Sequence, residues 1–335
     1  MSCRILTTTI KDRCPLWGER TELLPGWREE VDRTWRKRKK VSWLADARWA
    51  WRLFRASRRY EVVVTGYEQP AIWFGLMQRV LRRRPAPHVY LYQYSNLPED
   101  RLGRWFKRRF LGAIMREARA VVVFSRLQIR LYSEAFGVPE STFVWIPYYS
   151  TLWGAEYETT EGDYVFSGGD YTRDYASLFE AVRPLPYRTV IAAFYRSYFK
   201  GLQIPSNVEI LTTTHEGFLE LTAGAGVVAV PLRGGLLHPG GEQTYLNAMA
   251  LGKAVIVTDD VGAGQYIENG VSGVVLKPGD VEGLRQAIVR FMENRSLARN
   301  VGEAARAAAA RYSPDAFFAR LLTVIEECVH GQPNA

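Results

Sequence analysis

The apolar positions of this chain fall into two kinds of run. Short unbroken ones, YEVVVTG at 60–66, HVYLYQYSN at 88–96, ARAVVVFS at 118–125 and STFVWIPYY at 141–149, lack a period of two and predict buried strands. Between them, apolar positions recur three and four apart and predict helices over 69–82, 101–117 and 126–136, the last stopping at Gly137. CRILTTTI at the start predicts a first strand, and the CPLWGE segment at 14–19 reads as irregular. Over 42–57, Trp43, Leu44, Ala47, Trp51, Leu53 and Phe54 lie at helical spacing behind Ser42 as the cap. Strands alternating with helices predict a parallel sheet covered on both faces.

A polar, acidic stretch at 156–163 reads as a linker, after which the order repeats. Strands are predicted at 163–169, 188–194, 207–212, 227–232, 254–259 and 272–279. Helices are predicted at 174–182, 216–223, 242–251, 264–267 and 281–292. GEAARAAAARY has high helix propensity, and Ser313-Pro314-Asp315 opens a last amphipathic helix over 317–329. The fold class is therefore α/β with two doubly wound domains. Such sheets bind ligands beyond the carboxyl ends of their strands. Gly168-Gly169-Asp170, Thr212-Thr213-Thr214, 233–241 and 259–264 all lie there. Gly240 and Gly241 stand before a helix whose first amides lack intrahelical acceptors, the makings of an anion site. A tight structural turn is the plain alternative.

Composition narrows the class. At 335 residues, two domains are expected. Cys3, Cys14 and Cys328 are scattered without metal-ligand spacing, so neither a disulfide framework nor a zinc site is indicated. No apolar run approaches the roughly 18 residues of a membrane span, and MSCRILTTTIKDRC lacks a signal peptide's apolar core. A cytoplasmic location is expected. The net charge of +9 is concentrated in the first half, in 27–59, the run at 82–84 and 101–117, interleaved with Trp and Phe. That mixture suits an anionic membrane surface, with a solvated face over buried tryptophans as the alternative. No helix-turn-helix, zinc or RNP-type motif accompanies the charge, so nucleic acid is not an expected partner.

Three segments carry a family resemblance: ARAVVVFSRLQIRLYSEAFGVPESTFVWIP, YVFSGGDYTRDYASLFEAV and LNAMALGKAVIVTDDVGAGQYIENGVSGVVLKPGD, spanning roughly 118–280. They resemble the GT-B glycosyltransferases, in particular the retaining family 4 enzymes. The resemblance implies two Rossmann-like domains facing across a cleft: 1–155 for the acceptor, 156–316 for a nucleotide-diphosphate sugar, and 317–335 as a helix returning to the first domain. It implies no metal or other cofactor, a saccharide or lipid-linked acceptor, and a role in cell-surface glycan or polysaccharide synthesis.

Carried over by position, the match is uneven. The family's paired glutamates fall on Pro239 and Asn247, so that motif is absent. Glu242 offers a carboxylate from another direction, and Gln243 and Asn247, spaced i, i+4, can share ribose or sugar contacts. Arg173 matches the family's lysine, Asp170 stands where its arginine would be, and Arg233 can restore that charge. Arg173, Arg233 and Glu242 are thus the catalytic candidates. Gly168, Gly169, Asp170, Thr212, His238, Gly240, Gly241, Gln243, Thr244 and Asn247 are the donor-binding ones. Gln93, Tyr94 and Ser95 are candidates on the acceptor side, in place of the histidine common in the family. Breaking a sugar–phosphate bond places negative charge on the leaving diphosphate, which preorganised cations stabilise. In the retaining family the departing phosphate takes the acceptor's proton, and no enzymic nucleophile is needed. The missing glutamate pair also admits a non-catalytic partner or scaffold protein that keeps the fold.

Overall fold

The computed structural model describes residues 4–9, 14–28, 43–66, 68–91, 95–152, 154–259 and 261–330. The chain divides into two compact units, Met1–Ile146 with Asp315–Ala335, and Pro147–Pro314.

The first unit holds a six-stranded sheet of β1 (Ile5–Thr7), β2 (Thr21–Leu23), β3 (Val62–Thr65), β4 (His88–Leu91), β5 (Ala120–Val123) and β6 (Phe143–Trp145). Its order is β2-β1-β3-β4-β5-β6, with every pairing parallel. Strands β3, β4 and β5 are buried at every position, which is why their runs carry no alternation. His88 opens β4 inside this core, in hydrogen-bond contact with Thr65 Oγ1 at 2.9 Å. Burial lowers its pKa to about 3, so it stays neutral. Helices at Trp43–Ala56, Glu68–Leu81, Arg101–Met115 and Arg126–Phe136 follow the expected periodicity. The last ends on Gly137 at φ +64°, a left-handed cap. Ser42, the expected cap of the first, lies outside the described residues.

Residues 14–19, read as irregular, instead begin a helix over Pro15–Arg20 that leads into β2. Proline suits a first helical position, where its missing N–H has no intrahelical acceptor to lose. Packing supplies the rest: Trp17 is buried against Phe318 at 5.1 Å between ring centroids and donates from Nε1 to Thr9 O at 3.3 Å. Phe318 belongs to the final helix, Pro314–His330, which also packs Phe317 on Phe124 and pairs Glu326 with Arg20 at 2.7 Å.

The second unit holds β7 (Tyr164–Gly168), β8 (Arg188–Ala192), β9 (Val208–Leu211), β10 (Val227–Pro231), β11 (Val255–Thr258) and β12 (Val274–Leu276). They run in the order β12-β11-β10-β7-β8-β9, all parallel. Alternate strand residues enter opposite cores. Val165, Ile191 and Ile256 pack with Leu178, Ile288 and Phe291, whereas Phe166, Val190 and Val257 pack with Leu246, Met249 and Ile267. Helices cover Tyr175–Val182, His215–Ala223, Glu242–Ala250, Val281–Glu293 and Arg295–Ala309. The helix expected at 264–267 is only a 3-10 turn, Ala263–Gln265. Asp259 Oδ2 accepts from the amides of Gly262 and Ala263, both at 2.5 Å, and ties that turn to the end of β11. Among the described residues no helix is long and apolar enough to cross a membrane.

Candidate active site

Strand order reverses between β7 and β10, and chains leaving adjacent strands there diverge to opposite faces, opening a crevice at the carboxyl edge. A pocket of about 240 Å³ lies at this edge, walled by the loops after β7, β8 and β9 and by the helix Glu242–Ala250. Gly169, Asp170, Phe194, Thr213, Thr214, His215, Phe218, Gln243, Thr244 and Asn247 line it, with Ala192 and Ala193.

Arg173 lies beneath the floor, 8% exposed. Its Nε donates to Gly168 O at 2.7 Å, Nη1 to Thr172 Oγ1 at 3.2 Å and Nη2 to Thr244 Oγ1 at 3.0 Å. Two glycines make room for the guanidinium. A Cβ on Gly169 would sit 2.7 Å from Nη2, and one on Gly241 would sit 3.2 Å from Nη1 and 2.8 Å from Val230 Cγ1. Both have positive φ, +101° and +72°, which a side chain would strain. Because Thr244 accepts from Arg173, its own hydroxyl proton remains available to the pocket. The charge reaches the pocket through that hydroxyl and the Gly241 helix start, both favourable to an anion.

The remaining donor-side candidates separate. Asp170 lines the pocket, but its carboxylate accepts from the amides of Phe194 (3.1 Å) and Tyr195 (3.0 Å), holding the loop after β8 in place. Asn247 is almost fully buried and its side chain is engaged within the protein. Oδ1 accepts from Ser150 Oγ at 2.9 Å and Thr151 N at 2.7 Å, and Nδ2 donates to Thr151 Oγ1 at 3.0 Å. Gln243 also donates to Thr151 Oγ1, at 3.2 Å. The expected i, i+4 pair thus shares a partner, and that partner is Thr151. Thr212 donates to Ala193 O at 3.3 Å and joins the ends of β8 and β9 without lining the pocket. His238 is fully buried, with Nδ1 2.7 Å from Pro239 O and its ring stacked near Tyr171. Gly240 packs on Thr172, where a Cβ would lie 2.6 Å from Oγ1. Arg233 is exposed and outside the pocket wall.

Glu242 sits behind the wall rather than in it. It is 1% exposed, and neither carboxyl oxygen has a hydrogen-bond partner among the described residues. Burial raises its pKa to about 7, Asp259 adding to the rise and its own amide and Arg173 opposing it. The carboxyl in turn helps to raise the pKa of Tyr148, half-buried, and Tyr266, buried, behind desolvation itself.

On the acceptor side, Ser95 follows β4 and is buried, its amide donating to Tyr132 Oη at 3.1 Å. Gln93 and Tyr94 lie outside the described residues. Sequence reasoning missed Phe194, His215 and Phe218 in the wall and Ser150 and Thr151 behind it. Phe194 closes a predicted strand, the one signal that marks it; Thr151 has none, since its role depends on a fold contact 96 residues away. Among the described residues no group of three or more His, Cys, Asp or Glu is placed to hold a metal.

Two doubly wound units in one chain, the second with a pocket at its switch point, define a GT-B architecture. Residues 4–148 match the glycosyl transferase 4-like domain, and residues 203–308 match the glycosyl transferases group 1 family. The chain belongs to the GT-B glycosyltransferases. HepE of Anabaena, solved in complex with UDP, has this fold: TM-score 0.71 over 98% of this chain and 100% of that one, at 16% identity. An exopolysaccharide phosphotransferase of Streptomyces coelicolor is 31% identical over 121 residues, 36% of this chain and 12% of that protein. An uncharacterized glycosyltransferase of Methanocaldococcus jannaschii is 31% identical over 65 residues, 19% of this chain and 17% of that one. The match therefore spans less than a fifth of either curated relative.

Proposed function

We propose that this enzyme transfers a sugar, with retention, from a nucleoside-diphosphate donor in the β7–β9 pocket to a saccharide or lipid-linked acceptor during polysaccharide synthesis. The observation that carries the donor reading is Arg173, a buried cation fastened to Thr244 under a glycine-lined helix start. The diphosphate would lie over that start, receiving the Thr244 hydroxyl and the leading amides of the helix. The base would occupy the wall formed by Phe194, Thr213 and Phe218. Charge developing on the leaving diphosphate would be met by groups already oriented, with no reorganisation during reaction. HepE has been solved with UDP and with UDP-glucose, so uridine donors are the first to test.

A panel of nucleoside diphosphates and their sugars, followed by thermal unfolding, tests the pocket. A donor at 100 times its dissociation constant stabilises by about 2.7 kcal/mol. If none raises the melting temperature, the donor site is misread. Slow hydrolysis of the stabilising donor separates an enzyme from a scaffold that merely keeps the fold. We further propose that these cationic groups serve in place of a metal, so EDTA leaves the rate unchanged; a rate restored only by added divalent ions speaks against this.

A membrane-facing location is part of the same proposal. On the helix Arg101–Met115, Leu102, Trp105 and Phe106 are 76%, 59% and 61% exposed, spaced i, i+3, i+4 among Arg101, Arg104, Lys107, Arg108 and Arg109. Large apolar side chains ringed by cations favour the cytoplasmic face of an anionic bilayer, where a lipid-linked acceptor would be found.

A further inference from the structure

A second pocket of the same unit, about 250 Å³, lies at the opposite, amino-terminal edge of the sheet, beside the residues leading into β7, β10 and β11. Its wall carries Lys253, Arg295, Arg299 and Arg306 against only Glu161 and Glu303. Arg299 pairs with Glu161 at 2.7 Å. The other three cations make no ion pair among the described residues; their acceptors are backbone carbonyls. Lys253 Nζ, in a side chain 6% exposed, donates to Thr160 O at 2.5 Å and Ala225 O at 3.0 Å. Arg295 Nη1 donates to Gly162 O at 2.9 Å and packs where a Cβ on Gly226 would clash. Arg306 Nη2 donates to Leu251 O at 3.2 Å, its guanidinium 3.1–3.3 Å from the place of a Gly252 Cβ.

Carbonyl anchors orient a cation without cancelling its charge. Burial pushes the Lys253 pKa down to about 8, with Glu161 opposing the fall and Arg306 adding to it, so the ammonium lacks a counter-ion close enough to offset desolvation. Staples joining the 159–162 segment to the helix Arg295–Ala309 would account for the carbonyl bonds alone. They would not require three cations without an ion pair among the described residues to converge on one open cavity.

We propose that this pocket binds a small phosphate-bearing anion, inorganic or esterified, between Lys253, Arg295 and Arg306. Phosphate oxygens accept several charge-assisted hydrogen bonds at once, which a single-point anion such as chloride does not. The cavity holds the volume of roughly eight waters, enough for one or two phosphate groups. The site is separate from the donor pocket and does not depend on the reading of that pocket.

Calorimetric titration with inorganic pyrophosphate and with glucose 1-phosphate, at constant ionic strength, tests it on wild type, Arg306→Gln, Arg306→Lys and Lys253→Met. At least one of the two anions binds wild type, Arg306→Gln weakens it tenfold or more, and Arg306→Lys retains most of the affinity. The preferred anion tells whether the natural ligand is inorganic or esterified. Should neither anion bind, or should Arg306→Gln bind as wild type does, the pocket is only a structural crevice. Lys253 is buried and its replacement can disturb folding, so exposed Arg306 decides the matter.

Discussion

At Arg173 one guanidinium serves three acceptors and the helix start, so its loss acts twice. Arg173→Gln is expected to cost roughly 2–4 kcal/mol of stability, since charged hydrogen bonds are lost and their buried acceptors left open. It is also expected to weaken UDP binding at least tenfold; unchanged affinity, measured by calorimetry, would remove Arg173 from the donor site. Glu242 gives a different signature. Its folded pKa, about 7, lies above the usual carboxylate value of 4.5, so the unfolded chain ionises first as pH rises. The carboxyl's stabilising share is whole below pH 4.5, declines through the window between the two values, and is gone above about 7. Glu242→Gln should flatten that decline and be the more stable form at pH 8, by a few kcal/mol at most and on the order of 1.4 kcal/mol per pKa unit. Denaturant titrations of both proteins at pH 5 and pH 8 read this directly. The family resemblance, carried over by position, marked Arg173 and Glu242 as candidates. It did not tell that both side chains are sealed behind the pocket wall, because burial depends on what β10 and the 147–152 segment bring against them.

At the scale of elements, the helix Glu242–Ala250 is set by its start and its second turn. Gly241 at φ +72° starts it, and Asn247 in the second turn holds the 150–151 segment. Gly241→Ala adds a strained φ and a Cβ against Val230 and Arg173, and is expected to cost about 1–3 kcal/mol and to lower donor affinity with it. Gly264→Ala, where nothing lies within 4 Å, is the matched control and should cost little. Equal melting temperatures for the two variants would mean that the helix start tolerates a side chain. Strands were the most legible elements, since sheets covered on both faces demand unbroken apolar runs, as in β5 and β10. The helix Pro15–Arg20 was illegible for the opposite reason: at six residues it has little periodicity, and its stability comes from Trp17 packing on Phe318, 301 positions away. The turn after β11 was misread as a helix because GAGQYI resembles a helical stretch until Asp259 captures its amides.

For the whole molecule, alternation of strands and helices was enough to imply two doubly wound sheets, but no local pattern encodes where strand order reverses. That reversal lies between β7 and β10 in the second unit and between β1 and β3 in the first, and it decides which loops meet at a pocket. Charge distribution was legible, yet whether the aromatic residues among the cations were core or surface was not. On the helix Arg101–Met115 the aliphatic Leu111, Ile114 and Met115 are buried, while Leu102, Trp105 and Phe106 stand in solvent. Burying three such side chains in a bilayer interface gains apolar transfer energy, and the surrounding arginines add about 1 kcal/mol each near an anionic surface. Sedimentation with vesicles containing phosphatidylserine should therefore retain the wild-type protein and release most of a Trp105→Ser, Phe106→Ser double variant. Because both residues are exposed, the variant should unfold at the wild-type temperature and keep its affinity for UDP. High salt should weaken binding without abolishing it, since screening reaches the arginines and leaves the apolar contact intact. Equal retention of the two proteins would reduce this helix to a solvated basic face and leave the acceptor to be sought among water-soluble saccharides.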